Sequence, residues 1–277
     1  MEETCKACNE PLILNIDAEA SESGDEEAQP HQQEEEKEIV EDDLELPCGC
    51  HFHWQCLMDS APQVALSLKC PSCDGFLPSN APGSSSATNA FRRASQAVTI
   101  LTRYVNEGGV EDGLDILPAL TEEAFLAEHP EARPARALHT MAAEGDVVGI
   151  VSLVKDVDAD SAQSDAVVGA SVVRLLAWSD PLNENRSALH IAVEAQQVEV
   201  FWLLMWLASG LPTAVFPQGA AQAADGLGVA SVRPGLQVPR AEDVRFVKDG
   251  MGRSVLDVCL AQGSPWTRFV EDGVFDQ

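Results

Sequence analysis

Basic residues, aromatic residues and long apolar runs are all scarce in this chain. Lysine and arginine total 17 against 45 aspartates and glutamates, a net charge of −28 over 277 residues. A surface of that sign repels phosphate backbones and anionic lipid headgroups, so neither nucleic acid nor a membrane is expected as a partner. Aromatics make up only 5% of a chain that is 45% apolar, so a core must be built mainly from alanine, valine and leucine. The most apolar run, residues 200–211, is twelve residues long and too short to span a bilayer. The opening "MEETCKAC" has neither the basic nor the apolar region of a secretory signal, so a cytoplasmic or nuclear protein is expected. No glycine loop for phosphates and no nucleophile–base motif points to another class of enzyme.

Cysteine is the residue that is present with a pattern. Seven of the eight cysteines precede residue 74, and Cys259 stands alone as a small hydrophobe. In a reducing compartment, paired short spacings point to metal rather than to disulfides. In order, the candidates are Cys5, Cys8, Cys48, Cys50, His53, Cys56, Cys70 and Cys73, four pairs with gaps of one or two residues. A short gap lets two side chains reach one ion from a single turn, and four thiolate or imidazole donors suit one tetrahedral zinc, so eight suit two Zn2+ ions.

The middle of this set, "LPCGCHFHWQC", resembles the RING finger, whose central segment commonly reads Leu-Pro-Cys-Gly-His-x-Phe-His-x-x-Cys. Leu46, Pro47, Cys48, Gly49, Phe52, His53 and Cys56 match it, and Cys50 replaces the usual His. Cysteine ligates zinc equally well, which gives a four-Cys, one-His, three-Cys order. The resemblance implies a cross-brace, with Cys5, Cys8, His53 and Cys56 on one zinc and Cys48, Cys50, Cys70 and Cys73 on the other. His51 is left over, and an exchange of roles with Cys50 stays open. PHD and RING-CH fingers share the ligand order. They place more than His51 and Phe52 between the fourth and fifth ligands, and PHD fingers carry an aromatic where Leu68 stands. The 39 residues between Cys8 and Cys48 are many for a RING, and residues 15–45 read as a disordered acidic insertion, because residues 17–45 hold 14 acidic side chains and one basic one.

The resemblance implies a ubiquitin-protein ligase, which binds a ubiquitin-conjugating enzyme and promotes transfer without a covalent intermediate of its own. Among the family's contact positions, Pro71 matches the usual proline, Ala7 stands where a larger aliphatic is common, and no tryptophan lies between Cys56 and Cys70. Leu57, Met58, Val64, Leu66 and Leu68 are then the apolar side chains left to meet the enzyme. Asp74 occupies a position where many active members have a cation. The alternative is a zinc-stabilised scaffold without transfer activity.

Beyond a Pro/Gly/Ser linker at residues 81–90, residues 91–133 read as a helical segment. Val98, Leu101 and Val105 have helical spacing before Gly108 and Gly109, and Thr121 begins a second stretch with Pro130 past its end. Arg92, Arg93 and Ser95 make a short basophilic kinase-type motif. Three later stretches share a small residue, Leu, then His or Asp, then an apolar helix: around Leu138–His139, Leu189–His190 and Leu256–Asp257. They resemble ankyrin repeats, most closely in the middle copy, where Gln196 replaces the usual Gly. The spacings of 51 and 67 residues exceed the family period of about 33, so an extra helical unit is expected near residues 146–178 and an insertion at 211–240. Residues 134–265 thus read as degenerate repeats that recruit a protein substrate, with 266–277 as a tail. His139 and His190 are expected to be structural, and Trp202 and Trp206 to be core. The fold expected is mostly α: a small α+β zinc domain at residues 1–80 followed by a helical solenoid.

Overall fold

The computed structural model describes residues 3–16, 38–78, 98–163, 170–229, 238 and 243–275. Helices predominate, the sheets are small, and the chain divides into two compact units at residue 130.

In the first unit, β1 (Ile13–Ile16) pairs antiparallel with β2 (Glu38–Glu41). A second sheet runs β4-β3-β5-β6, from β3 (Asp43–Glu45), β4 (His51–Phe52), β5 (Leu101–Asn106) and β6 (Gly109–Asp115). Alternation turns Leu44, Phe52 and Thr102 inward, where Leu44 lies opposite Phe52. Three helices pack beneath: α1 (Trp54–Met58), α2 (Ala61–Ser67) and α3 (Leu117–Glu128), the last lying against α2. Leu57, Val64, Ile100, Ile116 and Leu120 are sealed in one apolar cluster with two of the cysteines, Cys5 and Cys70.

Several expectations are corrected here. Residues 98–105 are not a helix. Leu101 is exposed while Ile100 and Thr102 are buried, an alternation of period two in a β-branched and aromatic stretch, so the segment forms β5. Gly108 and Gly109 make a hairpin turn rather than a helix stop, and Gly109 has the positive φ, +112°, that suits glycine. Thr121 lies inside α3, its hydroxyl donating to the Leu117 carbonyl, and Pro118 sits in the helix's first turn. The described part of residues 91–133 is therefore mostly built into the first unit. Residues 15–16, 38–41 and 43–45, assigned to the disordered insertion at 15–45, lie in strands. Residues 17–37, the linker at 81–90, and Arg92, Arg93 and Ser95 lie outside the described residues.

The second unit contains three helix pairs: α4 (Arg133–Glu144) with α5 (Val147–Gln163), α7 (Ala188–Glu194) with α8 (Val198–Ala208), and Val255–Gln262 with Trp266–Glu271. Between the first two pairs come α6 (Ala170–Leu176) and the short strands β7 (Ser179–Asp180) and β8 (Arg186–Ser187). Helix α7 lies against both α4 and Val255–Gln262. The first helix of each pair ends in the left-handed region, at Gly145 (φ +84°), Gln196 (φ +61°) and Gly263 (φ +79°). His190 and Asp257 do one job in two chemistries. Nδ1 of His190 accepts from the Ser187 backbone N–H at 3.3 Å, and the Asp257 carboxylate accepts from that of Ser254 at 2.8 Å.

The insertion at 211–240 is ordered in part: α9 (Ala220–Gly226) forms, and Leu211, Phe216 and Val229 join the core. Nor are residues 266–275 a tail. Trp266 is fully buried, its ring 5.2 Å from that of Phe201, and Val274 and Phe275 close the same cluster. Four of the chain's scarce aromatics, Phe201, Trp266, Phe269 and Phe275, are gathered there, which fixes the C-terminal segment to α8. Among the described residues no helix is long and apolar enough to cross a membrane.

Two measurements check this architecture. A fragment of residues 1–80 lacks β5, β6 and α3 and leaves Leu57 and Val64 uncovered. It should give no cooperative melt, whereas residues 1–130 should; equal melts would contradict the boundary. In the second unit, burial first, and then the Arg136 guanidinium, hold His139 down at about 4. Its usual value is about 6.5. The folded state thus favours the neutral ring, with full stability above about pH 6.5 and a progressive loss of about 3 kcal/mol as pH falls towards 4. Tryptophan fluorescence follows it, since Trp178, Trp202, Trp206 and Trp266 all lie in this unit. His139→Gln should flatten the pH dependence of the melt between pH 6.5 and 4.

Candidate metal centre

Each ligand pair is set by a local backbone device. Cys5 and Cys8 flank a tight turn in which the Asn9 N–H donates to the Cys5 carbonyl at 2.9 Å. Cys70 and Cys73 repeat it, with the Asp74 N–H donating to the Cys70 carbonyl at 3.0 Å. Asn9 (φ +64°) and Asp74 (φ +57°) occupy the same left-handed position, which short Asn and Asp side chains tolerate. Cys48 and Cys50 sit on a turn closed by the Leu46 and Gly49 N–H groups, with Gly49 at φ +74°. His53 and Cys56 straddle the start of α1.

The structure collects these residues into two fours: Cys5, Cys8, His53 and Cys56, and Cys48, Cys50, Cys70 and Cys73. Within each, the ligand atoms all lie within 4.8 Å of one another. The first and third pairs along the chain form one group and the second and fourth the other, so the two groups interleave. A tetrahedron with ligands at about 2.0–2.3 Å has edges of about 3.3–3.8 Å. Nδ1 of His53 lies 3.3 Å from Cys8 Sγ and 3.7 Å from Cys56 Sγ, in keeping with such an edge. On the far side of the ring, Nε2–H donates to the Pro11 carbonyl at 2.8 Å. A carbonyl only accepts, so Nε2 carries the proton and Nδ1 keeps its lone pair for a metal.

The electrostatics suit a divalent cation at each group. Burial would raise the Cys5 thiol, but N–H groups of Cys8, His53 and Ala7 outweigh it and bring it down to about 7. Burial, then the neighbouring Cys5 and Cys8, push Cys56 up to about 12. In the second group, burial and then Cys73, Cys48 and Cys70 push Cys50 up to about 12, burial raises Cys48, and the Gly75 N–H leads in lowering Cys73. Adjacent thiols so divided cannot all ionise on their own; a divalent ion removes that repulsion. The donor set fits two metal ions, with soft sulfur favouring zinc.

His51 takes no part in either group. Its ring is turned to the carboxylates of Asp43, at 2.7 Å, and Glu3, at 3.3 Å, which leaves Cys50 as the ligand at that end. Of the expected enzyme-contact residues, Ala7 is exposed and Pro71 is half-buried. Leu57 is not available: it is fully buried in the core, as are Val64 and nearly all of Met58, because α1 and α2 turn those positions towards α3 and the sheet. Leu66 is 60% exposed, and Phe76, which the sequence reading passed over, is 57% exposed just beyond the last ligand pair. Also missed was Asp42, hidden in an acidic run but 2% exposed beside α1.

No protein-family model, curated protein or solved structure matches this chain.

Elemental analysis of purified protein should return about two zinc ions per chain, and Cys48→Ser with Cys70→Ser about one. Because raised thiols must lose protons to bind, zinc affinity should climb steeply between pH 6 and 8, read by competition with a chromophoric chelator.

Proposed function

We propose that the first unit is a RING-type zinc domain of a ubiquitin-protein ligase, and that the second is a degenerate ankyrin-repeat arm that recruits protein substrates. The interleaved grouping of the eight donors carries this reading. Closed four-ligand sites of this kind leave no open position for chemistry, so they are structural, and the function belongs to the surface that they shape. On that surface Ala7, Leu66 and Phe76 are exposed and Pro71 is half-buried, apolar side chains available to a ubiquitin-conjugating enzyme. Catalysis there consists of holding the charged enzyme in a reactive arrangement. The helix pairs of the second unit, with the His190 and Asp257 caps at corresponding positions, support the ankyrin reading; stacked pairs of that type bind proteins along an extended face.

One observation favours the second reading, a scaffold without transfer activity. Asp74 is exposed and carries a charge opposite to the cation of many active members. Its left-handed φ gives it a separate reason to be a short polar residue.

The deciding measurement is the discharge of a ubiquitin-charged conjugating enzyme onto free lysine, run over a panel of such enzymes. A ligase accelerates discharge, loses the effect in the Cys48→Ser, Cys70→Ser double variant, and loses roughly tenfold or more with Leu66→Ala plus Phe76→Ala, a size common for apolar anchors at an interface. Asp74→Arg should raise the rate despite a backbone cost of about 1–2 kcal/mol. Zinc-loaded protein that accelerates no enzyme, with or without Asp74→Arg, would establish the scaffold.

A further inference from the structure

The start of α1 lies between two metal-ligand candidates, His53 and Cys56, and its own N-cap residue makes no side-chain capping bond. The cap is supplied from elsewhere. Asp42 stands between β2 and β3, almost wholly buried, and its carboxylate accepts from the Trp54 backbone N–H at 3.1 and 3.3 Å. The Tyr104 hydroxyl, on β5, donates to the same carboxylate at 2.9 Å. The ring of Tyr104 packs on that of Trp54 with centroids 5.2 Å apart. The Asp42 N–H is tied to the Leu12 carbonyl at 3.1 Å, one residue from the Pro11 carbonyl that orients His53. The His53 N–H in turn donates to Cys5 Sγ at 3.4 Å.

We propose that Asp42 is the positioning residue of the Cys5, Cys8, His53 and Cys56 metal site, and that Tyr104 locks it in place from β5. Asp42 touches no ligand atom. It fixes the backbone turn that presents two of the four donors, and it does so by accepting the Trp54 N–H from a buried position. Tyr104 makes that bond conditional on the β5–β6 hairpin, which follows Cys73, the last of the candidate ligands, by more than two dozen residues. Among the described residues the other site shows no such partner: its cysteines sit on turns closed by their own neighbours, the Gly49 N–H to Leu46 and the Asp74 N–H to Cys70. The two sites should therefore differ in how they depend on residues after the linker. Loss of a partner that orients a metal ligand typically costs about 10–100-fold in metal affinity, and the effect here should fall on one site.

This inference rests on the metal reading, and the test separates the two. The full chain is loaded with 113Cd, whose resonance distinguishes a three-sulfur, one-nitrogen site from a four-sulfur site, and release to excess chelator is followed at each resonance. Asp42→Ala should release the three-sulfur, one-nitrogen ion about 10–100-fold faster and leave the other unchanged. Tyr104→Phe, which keeps the ring but not the hydroxyl, should shift the same site by a smaller factor. Asp42→Asn, whose amide oxygen still accepts both bonds, should stay near wild type. Leu120→Ala, a core change in α3 away from Asp42, should speed both sites together. Release from both sites alike in Asp42→Ala, no change at either, or a preference for the four-sulfur site overturns the proposal. If Asp42→Ala does not fold, Tyr104→Phe carries the same comparison. A wild-type chain that takes up no cadmium overturns the metal reading itself.

Discussion

The first unit depends on one constraint: its metal-ligand pairs alternate between two groups. A chain that closed each pair with its nearest neighbour in sequence would hold two small independent loops. Here Cys5 and Cys8 are joined to His53 and Cys56, and Cys48 and Cys50 to Cys70 and Cys73, so each group encloses part of the other. Neither can open without loosening the stretch from Cys48 to Cys56 that both share. That stretch also supplies β4 and α1, so both groups lean on the same short piece of sheet and helix.

The second unit rests on different physics. It has an extended apolar core, with Leu138, Leu189, Phe201, Leu204 and Trp266 all fully buried. Two of its buried carboxylates are tied into the scaffold. Asp180 is held by Arg136, and Asp243 with Arg245 links the Gly210 N–H and the Val274 carbonyl in one buried pair. Burial alone would raise the Asp243 carboxyl, but the Arg245 guanidinium and backbone N–H donors hold it below its usual range. Breaking such a pair by removing one partner leaves a buried charge, which is why it serves as a clasp between the segment after α8 and the C-terminal residues.

What was legible in the sequence was whatever a short spacing encodes. Cysteine turns are local, so all eight donors could be named from spacing alone, and so could the first helix of each pair, around Leu138, Leu189 and Leu256. What was not legible depended on distant neighbours. Val98, Leu101 and Val105 have helical spacing by coincidence, and pairing with β3 on one side and β6 on the other selects a strand; the alternation of Ile100, Thr102 and Tyr104 was the available signal. Leu57 looked like a surface candidate because its position relative to Cys56 was known but the helix α3 that covers it was not. His51 and Cys50 were interchangeable on paper, and Asp43 on the adjacent strand separates them. Asp42 was one carboxylate among fourteen in its tract, and nothing short of a fold distinguishes the buried one.

The scarcity of aromatic residues has an optical consequence. The chain has a single tyrosine, Tyr104, and burial, reinforced by Asp42, raises its phenol to about 12, so it stays un-ionised at any ordinary pH. Its ring centroid lies 5.2 Å from that of Trp54, near enough for excitation energy to pass to the indole. With the hairpin docked, the protein emits as if it had no tyrosine. Tyrosine emission would then report separation of β5 from α1, a native, label-free lamp on that one joint.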